Sequence, residues 1–575
     1  MTTAPEQIEK ATEWAQLSTK PDPATLAVLR GALRSVANEM DTVLKLTAFS
    51  PVIAEGTDRA SGVYAGERGG VVAQGEDGMP LFIGNMQFTV MHVLDTVSEI
   101  NDGDVLIAND PYECGTHLMD MKLLAPFFWK GRREMFVANT GHWPDVGGAV
   151  PGGFSARATE VYQEGVRIPP LKLYDRGALN RPLLDLMMAN MRVPEERRGD
   201  LEAQLNALNR GLSRLSDVYA KFGRNTVQSG VVELADRCER AMRENILGLP
   251  DGVYRFEDFL DNDGITPTRL TIRLALTVAG DGLTFDFTGS SPACRGPLNC
   301  PATNTQTATY IALKHIFPEL PVNEGTFRPV EFIIPKGSFL DARFPRPVSG
   351  SAAEVSQRVI DVCFGAFASI SPKLAYAQAY STSSNLTIGG EDPASGRRYV
   401  VYIYLGGGLG GHILGDGLSN ATAVHSTARV PPMEVIERKY PFRIRHYGLR
   451  ENSAGEGTFR GGFGSILEME LLRGEATAAL VADRSTQGPR GINGGGDGWP
   501  SVYTFLRHDG SVYTPPLLNK DQDVPLEAGD RVVMETPGGG GYGPPAARTK
   551  TAIATDIANS LCEGVPPVSG RLGRE

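Results

Sequence analysis

Glycine restricts this chain more than any other residue: 67 of 575 residues are glycine and 39 are proline. They gather in clusters, such as TPGGGGYGP at 536–544, rather than recurring at a fixed period. A fixed period would point to collagen or a solenoid. Clusters point to many tight turns between strands. At 575 residues the chain is too long for one compact core, and two to four domains are expected.

The pattern along the chain divides accordingly. Residues 22–47 place Leu26, Leu29, Leu33 and Val36 on one helical face, continued by Met40, Val43 and Leu44, after an Asp22-Pro23 start. Residues 63–90 read as short strands separated by Gly-Gly and Asp-Gly turns, and 103–140 as strand, turn, strand. A helical block follows: 182–193, broken by Pro194, then 195–222 with Leu201, Leu205, Leu208, Leu212 and Leu215 at spacings of three and four, then 226–247. Such a stripe usually serves the protein's own core. From 252 the pattern alternates, and VYRFEDFLDND, RLTIRLALTVAGDGLTFDFTGSS and VEFIIPKGSF read as antiparallel strands, with helices at 304–316 and 354–371. Residues 440–540 return to strands and glycine turns. A short helical segment lies in the tail. The expectation is an α+β, multi-domain mixed fold: 1–250 with a helical block, 251–440 mixed, 441–548 β-rich with glycine turns, and a tail at 549–575.

Composition excludes several classes. A net charge of −11 without a basic stripe argues against nucleic acid and anionic membrane surfaces. No run of 18 apolar residues suggests a membrane span. The N-terminus lacks a signal-peptide pattern, and six cysteines form no CxxC pair, so a reduced cytoplasmic chain is expected. There is no G-x-x-x-x-G-K-[ST] loop and no G-x-S-x-G elbow. Gly406, Gly408 and Gly411 fit G-x-G-x-x-G after a strand, but a further glycine turn follows where a dinucleotide fold needs a helix. Glu434 and Glu437 read as a solvated or salt-bridged pair.

Chemistry concentrates in 109–153. There, two of only eight histidines lie among three aspartates. His117 and Asp120 are three apart, and His142 follows 25 residues after His117 (142 − 117 = 25). Two imidazoles and a carboxylate, brought together from a turn and a following strand, make a site for a divalent transition metal. Zn, Mn and Fe all remain open, because the same donors serve non-haem iron. Cys114 reads as a small buried residue rather than a fourth ligand.

The segments NDPYECGTHLMD, GHWPDVGGAVPGGF, EGVRIPP, NSAGEGTFRGGFG and TPGGGGYGPP occur in the order of the hydantoinase B/oxoprolinase family, which this chain resembles over roughly residues 20–545. The resemblance implies a companion hydantoinase A-like subunit that binds ATP and Mg and phosphorylates the substrate oxygen, within a hetero-oligomer. It implies that His117, Asp120 and His142 hold a metal, as the corresponding residues do in acetone carboxylase. Asp145 would fix a histidine tautomer, and Asp110 or Asp145 would orient a water or a ligand. Many chains of the family carry a histidine in a Pro-x-His-x-Gly-x-Met segment, where this one has Phe82. That implies different chemistry or a more apolar pocket. The implied function is the B-type (β) subunit of an ATP-dependent cyclic amidase acting on a hydantoin, oxoproline or lactam. The alternative is a subunit of an ATP-dependent ketone carboxylase of the acetone/acetophenone type.

Overall fold

The computed structural model describes residues 20–559 and 561–562. The helix Pro23–Thr47 forms as its spacing demands. Asp22 caps it by accepting from the backbone N–H of Ala24 and Thr25, proline opens it, and Leu26, Leu29, Leu33, Val36, Met40 and Leu44 are buried. It packs along the helix Pro194–Phe222. In that second helix Leu201, Leu208 and Leu215 are buried and Leu205 and Leu212 pack against the same core, so the leucine stripe is internal. Gly223, at φ +76°, separates this helix from Arg224–Leu247.

These helices cover a seven-stranded antiparallel sheet. Its strands run in the order Val71–Gln74, Arg59–Ala65, Arg132–His142, Asp120–Trp129, Val105–Ala108, Leu171–Asp175, Ala178–Leu179. One expectation changes here: residues after Pro80 form no strand but the helix Pro80–Thr96. Proline at its first turn starts it. Its apolar residues lie on several faces (Leu81, Phe82, Ile83, Met86, Val90 and Val93 are all buried), which hides the helical period behind β-favouring side chains.

A second sheet holds Gly252–Leu260, Leu270–Ala279 and Gly282–Asp286 in antiparallel order. Val330–Ile333 joins it parallel to Gly282–Asp286, not antiparallel as the alternation suggested. The intervening chain carries the helix Ala302–Ile316, and such a crossover returns the strand in the same direction. The helix Ser356–Ala368 follows a single π turn at Ser351–Val355.

Two further sheets face each other across a separate core of Leu386, Ile388, Phe442, Leu467, Leu480, Phe505 and Met534, among others. One contains Asn385–Asp392, Arg397–Ile403, Glu475–Val481 and Lys520–Glu527, so it draws strands from both sides of residue 440. The other is built from Phe442–Leu449, Ser465–Leu471, Arg531–Glu535, Val502–Leu506 and Val512–Tyr513. The glycine clusters lace these sheets together through loop-to-loop backbone bonds: Gly408 N–H donates to Pro537 O, Gly462 to Leu409 O, Gly539 to Gly462 O and Gly411 to Gly540 O. A Cβ at Gly408 would stand 2.0 Å from Gly462 O, so no other residue fits that crossing. No helix opens after Gly411, which rules out the dinucleotide reading. The architecture is multi-domain α+β. Among the described residues, no helix is long and apolar enough to cross a membrane.

Candidate metal centre

Strand register assembles the site. Asp120 and His142 are directly opposed across the ladder between Asp120–Trp129 and Arg132–His142. His117 comes from the turn just before Asp120. There Gly115 and Thr116 both adopt positive φ (72° and 69°). A Cβ on Gly115 would meet Asn85 Oδ1 at 1.9 Å. The turn is clamped by the buried Lys122, whose Nζ donates to Gly115 O and Thr116 Oγ1 at 3.0 Å each, and by Ser351 Oγ, which donates to Thr116 O.

Both histidines and the aspartate are buried, and one donor atom from each lies within 4.8 Å of the others; this is the cluster of metal-capable side chains found among the described residues. His117 Nδ1 and His142 Nδ1 each approach Asp120 at 3.2 Å, on different oxygens. His117 Nδ1, Asp120 Oδ2 and His142 Nε2 nevertheless lack any aligned hydrogen-bond partner. Buried polar atoms rarely stay unpaired. Converging, unpaired nitrogen and oxygen donors fit a divalent cation.

The electrostatics agree. Burial drives the His117 pKa down to about 4, which leaves the imidazole neutral, as ligation requires. Burial works to raise Asp120, yet His117, His142 and Lys122 outweigh it and hold the carboxyl below its ordinary value. Phe154 stacks on His142, with ring centroids 6.1 Å apart, and Tyr402 stacks on it at 4.9 Å.

The cluster lies against a cavity of about 600 Å³, whose lining includes His117 and His142. Phe82 lines it beside Met79 and Leu81, so the segment that departs from the family pattern makes that wall apolar. Two further lining residues escaped the sequence reading. Asp58 precedes the strand Arg59–Ala65. Its C=O accepts from His142 N–H at 3.1 Å, and its carboxylate lies 4.0 Å from His142 Nδ1. Burial lifts its pKa to about 7. His425 is buried, keeps Nδ1 unpaired, and is driven by burial to about 3. The signal for Asp58 was the register: Arg59 opposes Gly141, which sets Asp58 beside His142. His425 lies in an irregular segment with no such signal.

The other expected residues lie elsewhere. Asp145 accepts from Arg192 N–H at 2.7 Å and from its Nη1 at 2.9 Å, and bonds no histidine. Asp110 caps the helical turn Pro111–Cys114 and pairs with Arg167 at 3.4 Å. Neither lines the cavity. Cys114 is buried outside the cluster and its thiol is pushed up to about 12 by burial, consistent with a packing role. Glu434 is solvent-exposed, and Glu437 accepts from Ile444 N–H at 2.8 Å.

A multi-domain α+β chain with an inward-facing His–Asp–His cluster at a cavity is thus defined by structure. The hydantoinase B/oxoprolinase profile matches residues 22–545, and the chain belongs to that family. It is 32% identical over 565 residues to the putative D-/L-hydantoinase B-type subunit of Pseudomonas sp. NS671, covering 94% of this chain and 93% of that one. It is 30% identical over 554 residues to the beta subunit of the caprolactamase of Pseudomonas jessenii, covering 94% of each. The crystal structure of ATP-dependent caprolactamase from that organism matches with a TM-score of 0.86 at 28% identity, over 95% of both chains. Nucleotide-free acetone carboxylase matches with a TM-score of 0.88 at 18% identity, over 96% of this chain and 80% of that one, and shares the fold.

Proposed function

We propose that this chain is the B-type (β) subunit of an ATP-dependent cyclic amidase that opens a hydantoin, oxoproline or lactam ring in the cytoplasm. It acts within a hetero-oligomer with a hydantoinase A-like subunit that binds ATP and Mg. The supporting observation is the unpaired His117–Asp120–His142 donor set against a cavity, in a chain that matches subunits of such amidases nearly end to end. Resonance makes an amide carbonyl a poor electrophile. Transfer of the ATP γ-phosphoryl group to the carbonyl oxygen releases ADP and makes the carbon electrophilic. Addition of one water and cleavage of the ring C–N bond, with protonation of the amine, leaves an acyl phosphate. A second water hydrolyses it to the ring-opened acid and phosphate. One ATP and two waters are consumed per ring.

His117, Asp120 and His142 would hold a divalent metal, Zn, Mn or Fe, which when bound supplies Lewis acidity and lowers the pKa of water. Asp58, lining the cavity beside His142, takes the proton the attacking water gives up, whereas the resemblance implied only that Asp110 or Asp145 orients that water or a ligand. His425 meets the polar edge of the ring, and Phe82, Tyr402 and Tyr404 flank its apolar faces and exclude water.

The test uses the full complex with ATP, a panel of hydantoins, lactams and ketones, and carbon-labelled bicarbonate. ATP-dependent ring opening without incorporated label is the expected result. Label in a stable carboxylate product would replace this reading with the ketone carboxylase, which the fold shared with acetone carboxylase keeps as the second reading.

A further inference from the structure

One wall of the cavity is a nearly continuous stretch of chain from Thr422 to Met433, far in sequence from the His–Asp–His cluster. Its backbone is fastened to the segment around Asp58 and to the wall behind it. Thr57 Oγ1 donates to Thr427 O at 2.7 Å, Arg429 N–H donates to Gly56 O at 2.7 Å, Thr427 Oγ1 donates to Asp77 O at 3.0 Å, and the Tyr404 hydroxyl donates to Arg429 O. Arg429 is therefore bonded through both its N–H and its C=O, and its Cα is fixed at the cavity.

Arg429 is the only lysine or arginine among the described residues that line the cavity. It is exposed and makes no ion pair or side-chain hydrogen bond with a described residue. That sets it apart from Arg358, Arg484 and Arg490, which all pair with Asp258. Its charge reaches Arg59, where it disfavours a second cation, and the Arg59 guanidinium is itself committed to Ile53 O at 2.9 Å. A positive charge on a fixed backbone, facing a cavity and without a counter-ion, is an arrangement that an anionic ligand completes.

We propose that Arg429 binds the phosphoryl group of the ATP-activated cyclic amide and so sets the orientation in which that intermediate occupies the cavity. This rests on the amidase reading above. The unactivated amide is neutral and the activated one carries a phosphoryl anion. A guanidinium at this position therefore discriminates between them, and pairs with phosphoryl oxygens through two parallel N–H bonds.

The test compares wild type, Arg429→Met and Arg429→Lys in the full complex, with inorganic phosphate as the probe, titrated by calorimetry. Charge-assisted bonds of this kind predict that Arg429→Met weakens phosphate binding by about tenfold or more, and that Arg429→Lys recovers part of it. Metal content stays unchanged in both variants. In turnover, KM for the cyclic amide is little altered, while ATP cleaved per ring opened rises in Arg429→Met because the intermediate is lost before ring opening. Equal phosphate affinity in wild type and Arg429→Met, or no phosphate binding by wild type, overturns the proposal. The two readings fail separately. A wild-type complex that opens no ring with ATP removes the amidase, whereas the phosphate titration decides Arg429 on its own.

Discussion

Gln204, on the helix Pro194–Phe222, holds both strand ends that carry the cluster, and replacing it with leucine tests whether the site depends on that support. Its Oε1 accepts from Trp143 Nε1 at 3.0 Å, and its Nε2 donates to Met121 O at 2.9 Å and to Asn139 Oδ1 at 3.0 Å. Met121 follows Asp120 and Trp143 follows His142, so these three bonds fix the opposed ends of the ladder. All four residues are buried. Gln204→Leu keeps the volume but leaves three buried polar groups unpaired. At about 1–3 kcal/mol for each, reduced by local relaxation, the loss is ~3–6 kcal/mol. That is a large share of the about 5–15 kcal/mol by which a folded domain is stable. Residues that orient ligands typically change metal affinity by about 10–100-fold, and the same factor is expected here. Scanning calorimetry measures the first effect and metal titration of the dialysed protein the second. A destabilisation under about 1 kcal/mol together with unchanged metal affinity would refute the argument that this network positions the site.

His142→Ala and Asp120→Ala each abolish stoichiometric metal, measured by plasma mass spectrometry, together with ATP-dependent turnover; full turnover by metal-free protein would remove the metal from the reaction. Cys114 resists alkylation at pH 8 in the folded protein and reacts only on unfolding, because burial raises its thiol to about 12; peptide mapping after iodoacetamide reads this directly. Burial also raises Glu164 to about 8 from 4.5, although it accepts from the backbone N–H of Val348 and Ser349. A folded-state pKa raised above the unfolded value means that the folded chain holds the extra proton. The contribution to stability is complete below about 4.5 and is lost as pH rises through about 8. Glu164→Gln should flatten that part of the profile in thermal unfolding between pH 5 and 9, and an unchanged slope would count against it.

The sequence reveals some parts of this molecule and hides others for physical reasons. Helices with one apolar stripe and a proline at the start, Pro23–Thr47 and Pro194–Phe222, were legible because period and boundary agree. Pro80–Thr96 was not, since burial on several sides erases the stripe and its Phe, Ile, Val and Thr residues favour strands. The parallel pairing of Val330–Ile333 depends on where a crossover returns, which no local pattern encodes. His117, Asp120 and His142 were legible because a tight turn and a two-stranded ladder bring them together over 25 residues. Asp110 and Asp145 share the same segment, but they pair with arginines and lie outside the cavity lining. Proximity in sequence does not say which partner a carboxylate finds, and here Arg167 and Arg192 are those partners.

The cavity combines two unlike kinds of structure, and this explains why the glycine clusters matter to a site that contains few of them. The cluster rests on a sheet whose ladder fixes it within the first 180 residues. The facing wall, with Tyr402, Tyr404, His425 and Arg429, comes from residues beyond 400, much of it without helix or strand. Irregular backbone holds a position only if its N–H and C=O groups find fixed partners. Those partners are the interlocked loops: Gly407 pairs with Ala421, Leu409 N–H donates to Leu418 O, and Gly462 and Gly539 close behind them. Thr57 and Gly56 then tie the wall back to the chain that leads into the sheet. The distance between Asp58 and the facing wall is therefore set by backbone hydrogen bonds on both sides. A side chain at Gly408 or Gly539 would displace that wall by meeting Gly462 or Leu409 backbone, away from His117, Asp120 and His142.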